Sequence, residues 1–529
     1  MPRFTVDGVE IEAAEGRTIL QALDDAGLLM NGVDVPHYCW HPKLTIDGSC
    51  RLCQVEVEGV PKLQIACNTP VQDGMVVHTK TQRVSDAREG VMELLLVNHP
   101  LDCPICDQAG ECKLQDYAFE YGVAGARTRE PRRALKKNVD LGPTIVFDQE
   151  RCILCRRCVR FCSEIPGTRE LSVVGRGDHS VIETFPGIPL DNDYSMNVAD
   201  ICPVGALTTK DFRFKIRVWF LQDVPGVCTG CARGCNVYAG VANNKVYRFV
   251  PRRNDAVNDT WICDEGRMTY KRIGQADRLC YPLVRGELGV PEVASYADAI
   301  RAAAERLRRL VDAKGAGVVA AIASAHATNE DLFTLRRFLQ ALGTENAGIA
   351  LVTGRSDDVL LHAEKAPNAR GARAIGFGEA QPVLDRIRGG GVDGLIVLGS
   401  DLMHEQLLGG PSALSALDTV IALDSHASAL GQVAHVQLPT RMVGEKRGTL
   451  TNAAGRVQRV MPAVEPGWEA YSEGEVLARL GAALELAGFE ERWDVQQISK
   501  ALAASVPAFA GRDLDAVGDA GLPLVGEDD

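Results

Sequence analysis

Apolar and polar residues alternate through Phe4-Thr5-Val6, break at Asp7-Gly8 and resume at Val9-Glu10-Ile11, which predicts a strand pair across a tight turn. From Thr18 to Leu29 the apolar positions Ile19, Leu20, Leu23 and Leu28 fall on or near one helical face. Strand patterns return at Gln54–Glu58 and Val76–Thr79, so a small mixed fold with a helix across a sheet is expected over residues 1–80. A further helix is expected over 84–98, with Val91, Leu94, Leu95 and Val97 apolar. It should end at His99-Pro100, because the residue before a proline is pushed out of helical geometry. Residues 121–142, carrying Arg127, Arg129, Arg132, Arg133, Lys136 and Lys137, read as a basic, apolar-poor linker.

From about residue 280 helices and short apolar runs alternate. Ala297–Val311 and Leu332–Leu342 have helical periodicity. Val318–Ala323, Leu395–Gly399 and Thr419–Leu423 are continuous apolar strands. Strands apolar on both sides belong in a parallel sheet covered on both faces. The expected fold class is therefore multidomain, α+β at first and then α/β. No internal repeat is evident.

Composition adds bounds. The chain has 529 residues, which suits roughly three to five domains. Its formal charge of −13 argues against a nucleic-acid surface as the main function. No run of eighteen apolar residues spans a bilayer and no secretory signal opens the chain, so a cytoplasmic setting with reduced thiols is expected.

The seventeen cysteines change the picture most, because all lie between Cys39 and Cys280. In a reducing compartment such density reads as metal ligation. The first group, Cys39, Cys50, Cys53 and Cys67, sits in the small β-rich region and suits a [2Fe–2S] cluster, since soft thiolates hold iron. Gly48-Ser49 gives the backbone room to approach the sulfides. The second group has three cysteines, Cys103, Cys106 and Cys112, one short of a cubane, and His99 stands four residues upstream of them. The third, Cys152, Cys155, Cys158 and Cys162 with Cys202-Pro203, has the spacing of bacterial ferredoxins, whose fourth clustered cysteine serves a second cluster. Here that second cluster's positions are Asn192, Ser195 and Val198, so one [4Fe–4S] cluster remains on Cys152, Cys155, Cys158 and Cys202, and Cys162 becomes a buried small hydrophobe. The fourth group is Cys228, Cys231, Cys235 and Cys263, for which a four-cysteine zinc site competes with [4Fe–4S]. Fifteen cysteines and one histidine complete four sets of four, leaving Cys162 and Cys280 over.

Pro36-His37-Tyr38-Cys39-Trp40-His41, Gly48-Ser49-Cys50-Arg51-Leu52-Cys53-Gln54-Val55-Glu56, Asn98-His99-Pro100-Leu101-Asp102-Cys103-Pro104-Ile105-Cys106-Asp107-Gln108 and Ile201-Cys202-Pro203-Val204-Gly205-Ala206-Leu207 resemble the largest iron–sulfur subunit of respiratory complex I, NADH:quinone oxidoreductase. The resemblance runs from residue 1 to about 285. It implies a β-grasp, plant-ferredoxin-like domain over 1–80 and a [4Fe–4S] module over 81–120. A bacterial-ferredoxin-like domain over 140–218 and a molybdopterin-oxidoreductase-type [4Fe–4S] domain over 219–280 follow. It implies one [2Fe–2S] and three [4Fe–4S] clusters, with electrons entering at the Cys39 group, passing to the Cys152 group and then to the His99 group. The implied partners are an NADH- and FMN-binding flavoprotein subunit, a two-cluster ferredoxin-like subunit and other peripheral-arm subunits. The implied place is the cytoplasmic face of the inner membrane, held through the complex.

Residues 281–529 resemble molybdopterin oxidoreductases in fragments, at Ala327-Thr328-Asn329-Glu330 and Gly448–Gln458. The lysine usual in those enzymes two residues after the last cluster cysteine is Glu265 here, and no cysteine follows Cys280. No molybdopterin and no independent catalytic site are expected; the region reads as an α/β scaffold. Two alternatives share the N-terminal modules: a catalytic subunit of a formate dehydrogenase or iron hydrogenase, and a diaphorase subunit of an NAD-reducing hydrogenase. Arg176-Gly177-Asp178 reads as a turn, Gly389-Gly390-Gly391 as a flexible connection, and His78, His326, His362 and His426 lack ligand partners at useful spacing.

Overall fold

The computed structural model describes residues 1–526 apart from Met30, Ala126 and Glu491. The chain forms two compact units, the first of residues 1–221 and the second beginning at Gln222.

The first unit opens with the expected hairpin. Arg3–Val6 pairs antiparallel with Val9–Glu12, Phe4 opposite Ile11, across a turn in which Asp7 and Gly8 both have positive φ (48° and 88°). That is the hairpin turn whose twist matches its strands. Val76–His78 runs parallel to Arg3–Val6 and antiparallel to Gln54–Val57, which carries Gln64–Ile65 on its far side. The helix Ile19–Asp25 crosses this sheet. A Thr18–Gln21 capping box starts it, and it buries Ile19, Leu20, Ala22 and Leu23 with Phe4, Val6, Val55, Val57 and Val77. It stops short of Leu29. Gly27 enters the left-handed region (φ 66°) and the Leu28 and Leu29 N–H groups turn back to the Leu23 carbonyl, closing the end.

The helix Gln82–Leu96 differs from its expected face. It buries Val84, Arg88 and Met92, spaced four apart, while Leu94 is 76% exposed. Arg88 is accepted inside because its guanidinium donates to the Tyr121 hydroxyl (2.8 Å) and the Gln54 carbonyl (3.0 Å). Further on, Ile145–Phe147 lies between Val139–Asp140 and Leu207–Thr209 in a three-stranded antiparallel sheet. The helix Arg157–Glu164 and the hairpin Leu171–Val174 with Val181–Thr184 complete that region. The three positions without cysteine have ordinary packing tasks. Asn192 donates to Glu170 (2.9 Å), Ser195 shares a hydrogen bond with Thr144 (2.6 Å), and Val198 is buried.

The second unit begins with a three-stranded antiparallel sheet, Gln222–Val227, Asn236–Ala242 and Lys245–Pro251. An eight-stranded sheet follows. Six of its strands are parallel, in the order Val436–Pro439, Thr419–Asp424, Gly394–Leu398, Val319–Ser324, Ala347–Ala350 and Gly378–Glu379, with the hairpin Leu283–Arg285 and Pro291–Val293 antiparallel at one edge. Its two faces feed separate cores. Ala321, Ala323, Ile396, Leu398, Ile421 and Leu423 pack with the helices Tyr296–Lys314 and Asn329–Leu342; Ala320, Ile322, Leu395, Val397 and Val420 pack with Gln381–Arg388. The glycine run joins that last helix to Gly394–Leu398. Among the described residues no helix is long and apolar enough to cross a membrane.

Candidate cluster sites

In the first group, strand pairing sets two ligands. Gln54 pairs with Ile65, and Ala66 N–H donates to the Cys53 carbonyl (2.8 Å), so Cys53 and Cys67 sit at neighbouring strand ends. Gly48 and Arg51 (φ 68° and 59°) bend the loop around Cys50. Cys39, Cys53 and Cys67 are buried and Cys50 is half-buried. The four thiols exchange hydrogen bonds. Cys39 is held low by bonds from Cys50 and Cys67, while Cys67 is pushed up by donating to Cys39 and Cys53 and then by burial. Backbone amides of Ser49 and Cys50 also point at Cys39 sulfur.

The second group is gathered by two helix ends and a turn. After Gln82–Leu96, the His99 N–H returns to the Leu96 carbonyl (3.2 Å); Cys103 opens a 3₁₀ turn and Cys112 caps Lys113–Tyr121. His99, Cys103, Cys106 and Cys112 line one cavity of about 100 Å³, with Asp102, Arg151 and Gly205 in its wall. Burial, and then the Arg151 charge, pushes His99 down to about 4, so its imidazole is neutral at neutral pH, the form that ligates metal. Burial pushes Cys112 up to about 11. Gly205 is required, because a Cβ there would collide with the Cys106 sulfur.

Around the third group, Leu154 and Arg156 take left-handed conformations on either side of Cys155 (φ 53° and 59°), and the Leu154 N–H points at Cys152 Sγ (3.4 Å). Cys158 lies in the first turn of Arg157–Glu164. Cys202 follows the short helix Asn197–Asp200 and receives amides of Val204, Leu207 and Ala206; burial pushes it up to about 12. Cys152, Cys155, Cys158 and Cys202 line one cavity. Cys162, a turn beyond Cys158, is buried but absent from that lining.

In the fourth group all four cysteines are buried. The Cys228 N–H donates to the Cys235 carbonyl (2.8 Å), Gly230 N–H points at Cys228 Sγ (3.4 Å), and Gly266 N–H at Cys263 Sγ (3.2 Å), where Cys263 caps Asp264–Met268. A Cβ on Gly266 would come within 2.9 Å of Cys228 Sγ and 3.1 Å of Cys263 Sγ. Glu265 is exposed. Outside all four groups, the Cys280 thiol donates to the Arg278 carbonyl (3.4 Å).

The structure thus brings together each of the four sequence-derived sets. Among the described residues no three His, Cys, Asp or Glu side chains are arranged to hold a single metal ion, so the fit to clusters rests on the walls and the donor chemistry. Burial raises Cys106, Cys112, Cys152, Cys155, Cys158, Cys202, Cys228, Cys235 and Cys263 above the ordinary thiol range. Thiols so placed ionise only against a strong local cation, which iron would supply. Sequence reading missed Gly205, Gly266, Arg151 and Arg157. The visible signals were a glycine three residues after Cys202 and after Cys263, and arginines just before and inside the Cys152–Cys162 run.

Residues 2–82 match the 2Fe-2S iron-sulfur cluster binding domain, 88–127 the NADH-ubiquinone oxidoreductase-G iron-sulfur binding region, and 142–208 the ferredoxin-like domain of NADH-quinone oxidoreductase subunit 3. The G-type subunit of NADH-quinone oxidoreductase from Rickettsia conorii is 41% identical over 349 residues, 66% of this chain and 50% of that protein. Over that stretch the chain is similar to this subunit of NADH-quinone oxidoreductase. The mitochondrial NADH dehydrogenase [ubiquinone] iron-sulfur protein 1 of Solanum tuberosum is 40% identical over 341 residues, 64% of this chain and 45% of that one. The chain spans about half the length of these relatives. Residues 221–275 match the molybdopterin oxidoreductase Fe4S4 domain and 360–483 the molybdopterin oxidoreductase family. Among solved structures, a chain of an NAD+-reducing [NiFe]-hydrogenase is 32% identical, covering 41% of this chain and 91% of its own, with a TM-score of 0.37.

Proposed function

We propose that the chain is an electron-transfer subunit of an NADH:quinone oxidoreductase, carrying electrons from a flavoprotein subunit toward quinone and holding no catalytic site of its own. One [2Fe–2S] cluster would sit on Cys39, Cys50, Cys53 and Cys67. Three [4Fe–4S] clusters would sit on His99, Cys103, Cys106 and Cys112, on Cys152, Cys155, Cys158 and Cys202, and on Cys228, Cys231, Cys235 and Cys263. Such clusters supply one-electron storage. The observation that carries the reading is the cavity shared by His99, Cys103, Cys106 and Cys112, since a neutral imidazole completes a set that three cysteines leave open.

The residues of this chain do the remaining work. Buried walls keep water from most of the sulfurs, with Cys103 the exposed one, and backbone amides directed at Cys39, Cys152, Cys228 and Cys263 stabilise added negative charge. The proposed partners are the flavoprotein and a two-cluster ferredoxin-like subunit, with the chain peripheral on the cytoplasmic face of the membrane.

Metal and sulfide analysis with EPR after reduction tests this. About fourteen iron atoms are expected per chain, from one two-iron and three four-iron clusters, with no molybdenum. A tightly bound zinc, with about four fewer iron atoms, would assign the fourth group to zinc instead. Formate or hydrogen oxidation with stoichiometric pterin would overturn the reading.

A further inference from the structure

Of the arginines beside the cysteine sets, Arg151 and Arg157 are neutralised differently. Arg151, in the wall of the His99 cavity, is buried against carboxylates: Asp102 accepts from its Nη2 (2.9 Å) and Nε (3.1 Å), and Asp148 lies 3.3 Å from Nε. Arg157 has no carboxylate partner among the described residues. Its Nη2 donates to the Trp40 carbonyl (2.5 Å) and its Nη1 to the Ile201 carbonyl (3.2 Å), while its Nε is sealed from solvent without a partner. Trp40 follows Cys39 directly, and Ile201 precedes Cys202 directly. One planar guanidinium therefore ties the ligand loop of the [2Fe–2S] site to that of the Cys152 site. The groups of opposite sign that it would meet, once they hold a cluster, are the sulfurs of both sets, Cys155, Cys50, Cys202 and Cys39.

Neighbouring residues fix this placement. Arg160, one turn on, donates to the Cys39 and Thr45 carbonyls; Arg156 pairs with Asp47; and Glu164 accepts from the Thr45 N–H (2.8 Å). The start of the helix Arg157–Glu164 is thus clamped onto the loop of residues 39–47. A largely buried cation without a carboxylate is costly unless another anion compensates it, and a planar guanidinium can donate to two carbonyls at once.

We infer that Arg157 is a positioning residue shared by two clusters: its guanidinium fixes the spacing of the Cys39 and Cys202 ligand loops, and its charge favours the reduced state of both clusters. The inference rests on the cluster reading given above. A reduced cluster is one charge more negative, so a fixed nearby cation raises its midpoint potential.

The test is an EPR-monitored redox titration of the assembled complex carrying Arg157→Gln, Arg157→Lys and Arg151→Gln. Both the [2Fe–2S] midpoint and the Cys152-set midpoint should fall in Arg157→Gln and stay near wild type in Arg157→Lys. Arg151→Gln should move these two less, because its charge is already balanced by Asp102 and Asp148. Unchanged midpoints in Arg157→Gln, with both signals present, overturn the inference. If Arg157→Gln does not assemble the two clusters, recovery of both signals in Arg157→Lys but not in Arg157→Met supports it. Equal loss in Lys and Met overturns it, since the positive charge would then have no part in holding the two clusters. Absence of iron and of these signals from the wild-type protein would instead remove the cluster reading itself.

Discussion

Residues 1–221 and the parallel-sheet region from Leu283 onward both bury ionisable groups, and they treat them in opposite ways. In the sheet region the charges close on one another. Lys446 pairs with Asp331 (2.9 Å) and Glu473, all buried, and Glu330 accepts from Thr449 N–H (2.7 Å), Thr449 hydroxyl (2.9 Å) and Ser499 hydroxyl (3.0 Å). In the first unit buried thiols, a neutral His99 and the carboxylate-free Arg157 face cavities. The difference teaches where a cofactor is structural. The sheet region satisfies its buried ionisable groups from within; the first unit does so for Arg151 but leaves its thiols, His99 and Arg157 facing cavities.

Removing iron gives the largest effect. Acid or chelator treatment should abolish hydrogen-exchange protection across residues 1–221 and leave it in the strands Val319–Ser324, Gly394–Leu398 and Thr419–Asp424. Equal persistence in both regions would break the contrast.

Losing one cluster comes next. His99→Ala should lose or labilise one [4Fe–4S] signal, and quinone reduction should fall while NADH oxidation by an artificial acceptor at the flavin continues. His99→Cys should keep the signal at a lower potential, because an anionic thiolate favours the oxidised core. Cys202→Ala should remove a different [4Fe–4S] signal. Gly205→Ala should act like His99→Ala, since its methyl group would press on the Cys106 sulfur. An intact spectrum in His99→Ala would move the search to Asp102, which lines the same cavity.

On the other side of the comparison, Lys446→Met should leave every EPR signal unchanged and destabilise the sheet region by about 3–5 kcal/mol, because it strands two buried carboxylates. Denaturant unfolding followed on that region measures it.

A pH series sharpens the same point. Burial pushes Glu330 up to about 7 from an ordinary 4.5. A raised carboxyl contributes stability in full below its unfolded value and loses it as pH rises through its folded value. Sheet-region stability should therefore fall between roughly pH 4.5 and 7, by at most on the order of 3 kcal/mol, and Glu330→Gln should flatten the slope. The smallest effect belongs to Cys162→Ala, which should cost about 1 kcal/mol and leave all cluster signals in place.

The four groupings were legible in the sequence because most of their members lie within a few residues of each other, and closeness along the chain then brings closeness in space. The parallel strands were legible for a similar reason: apolar runs such as Leu395–Leu398 need no partner to be recognised. The inner face of Gln82–Leu96 was not, because its middle is Arg88, whose partners Gln54 and Tyr121 are more than thirty residues away in either direction. Arg157 escaped for the same cause. Its carbonyl partners, at Trp40 and Ile201, carry no side-chain signal at all.

The tetrapeptide Cys202-Pro203-Val204-Gly205 serves two sites. Cys202 belongs to the third set, the Pro203 carbonyl accepts from Cys112 Sγ (3.8 Å), and bare Gly205 makes room for Cys106. With clusters in both sites, insertion of either would shape the wall that receives the other, so maturation of the two centres would be coupled through these four residues.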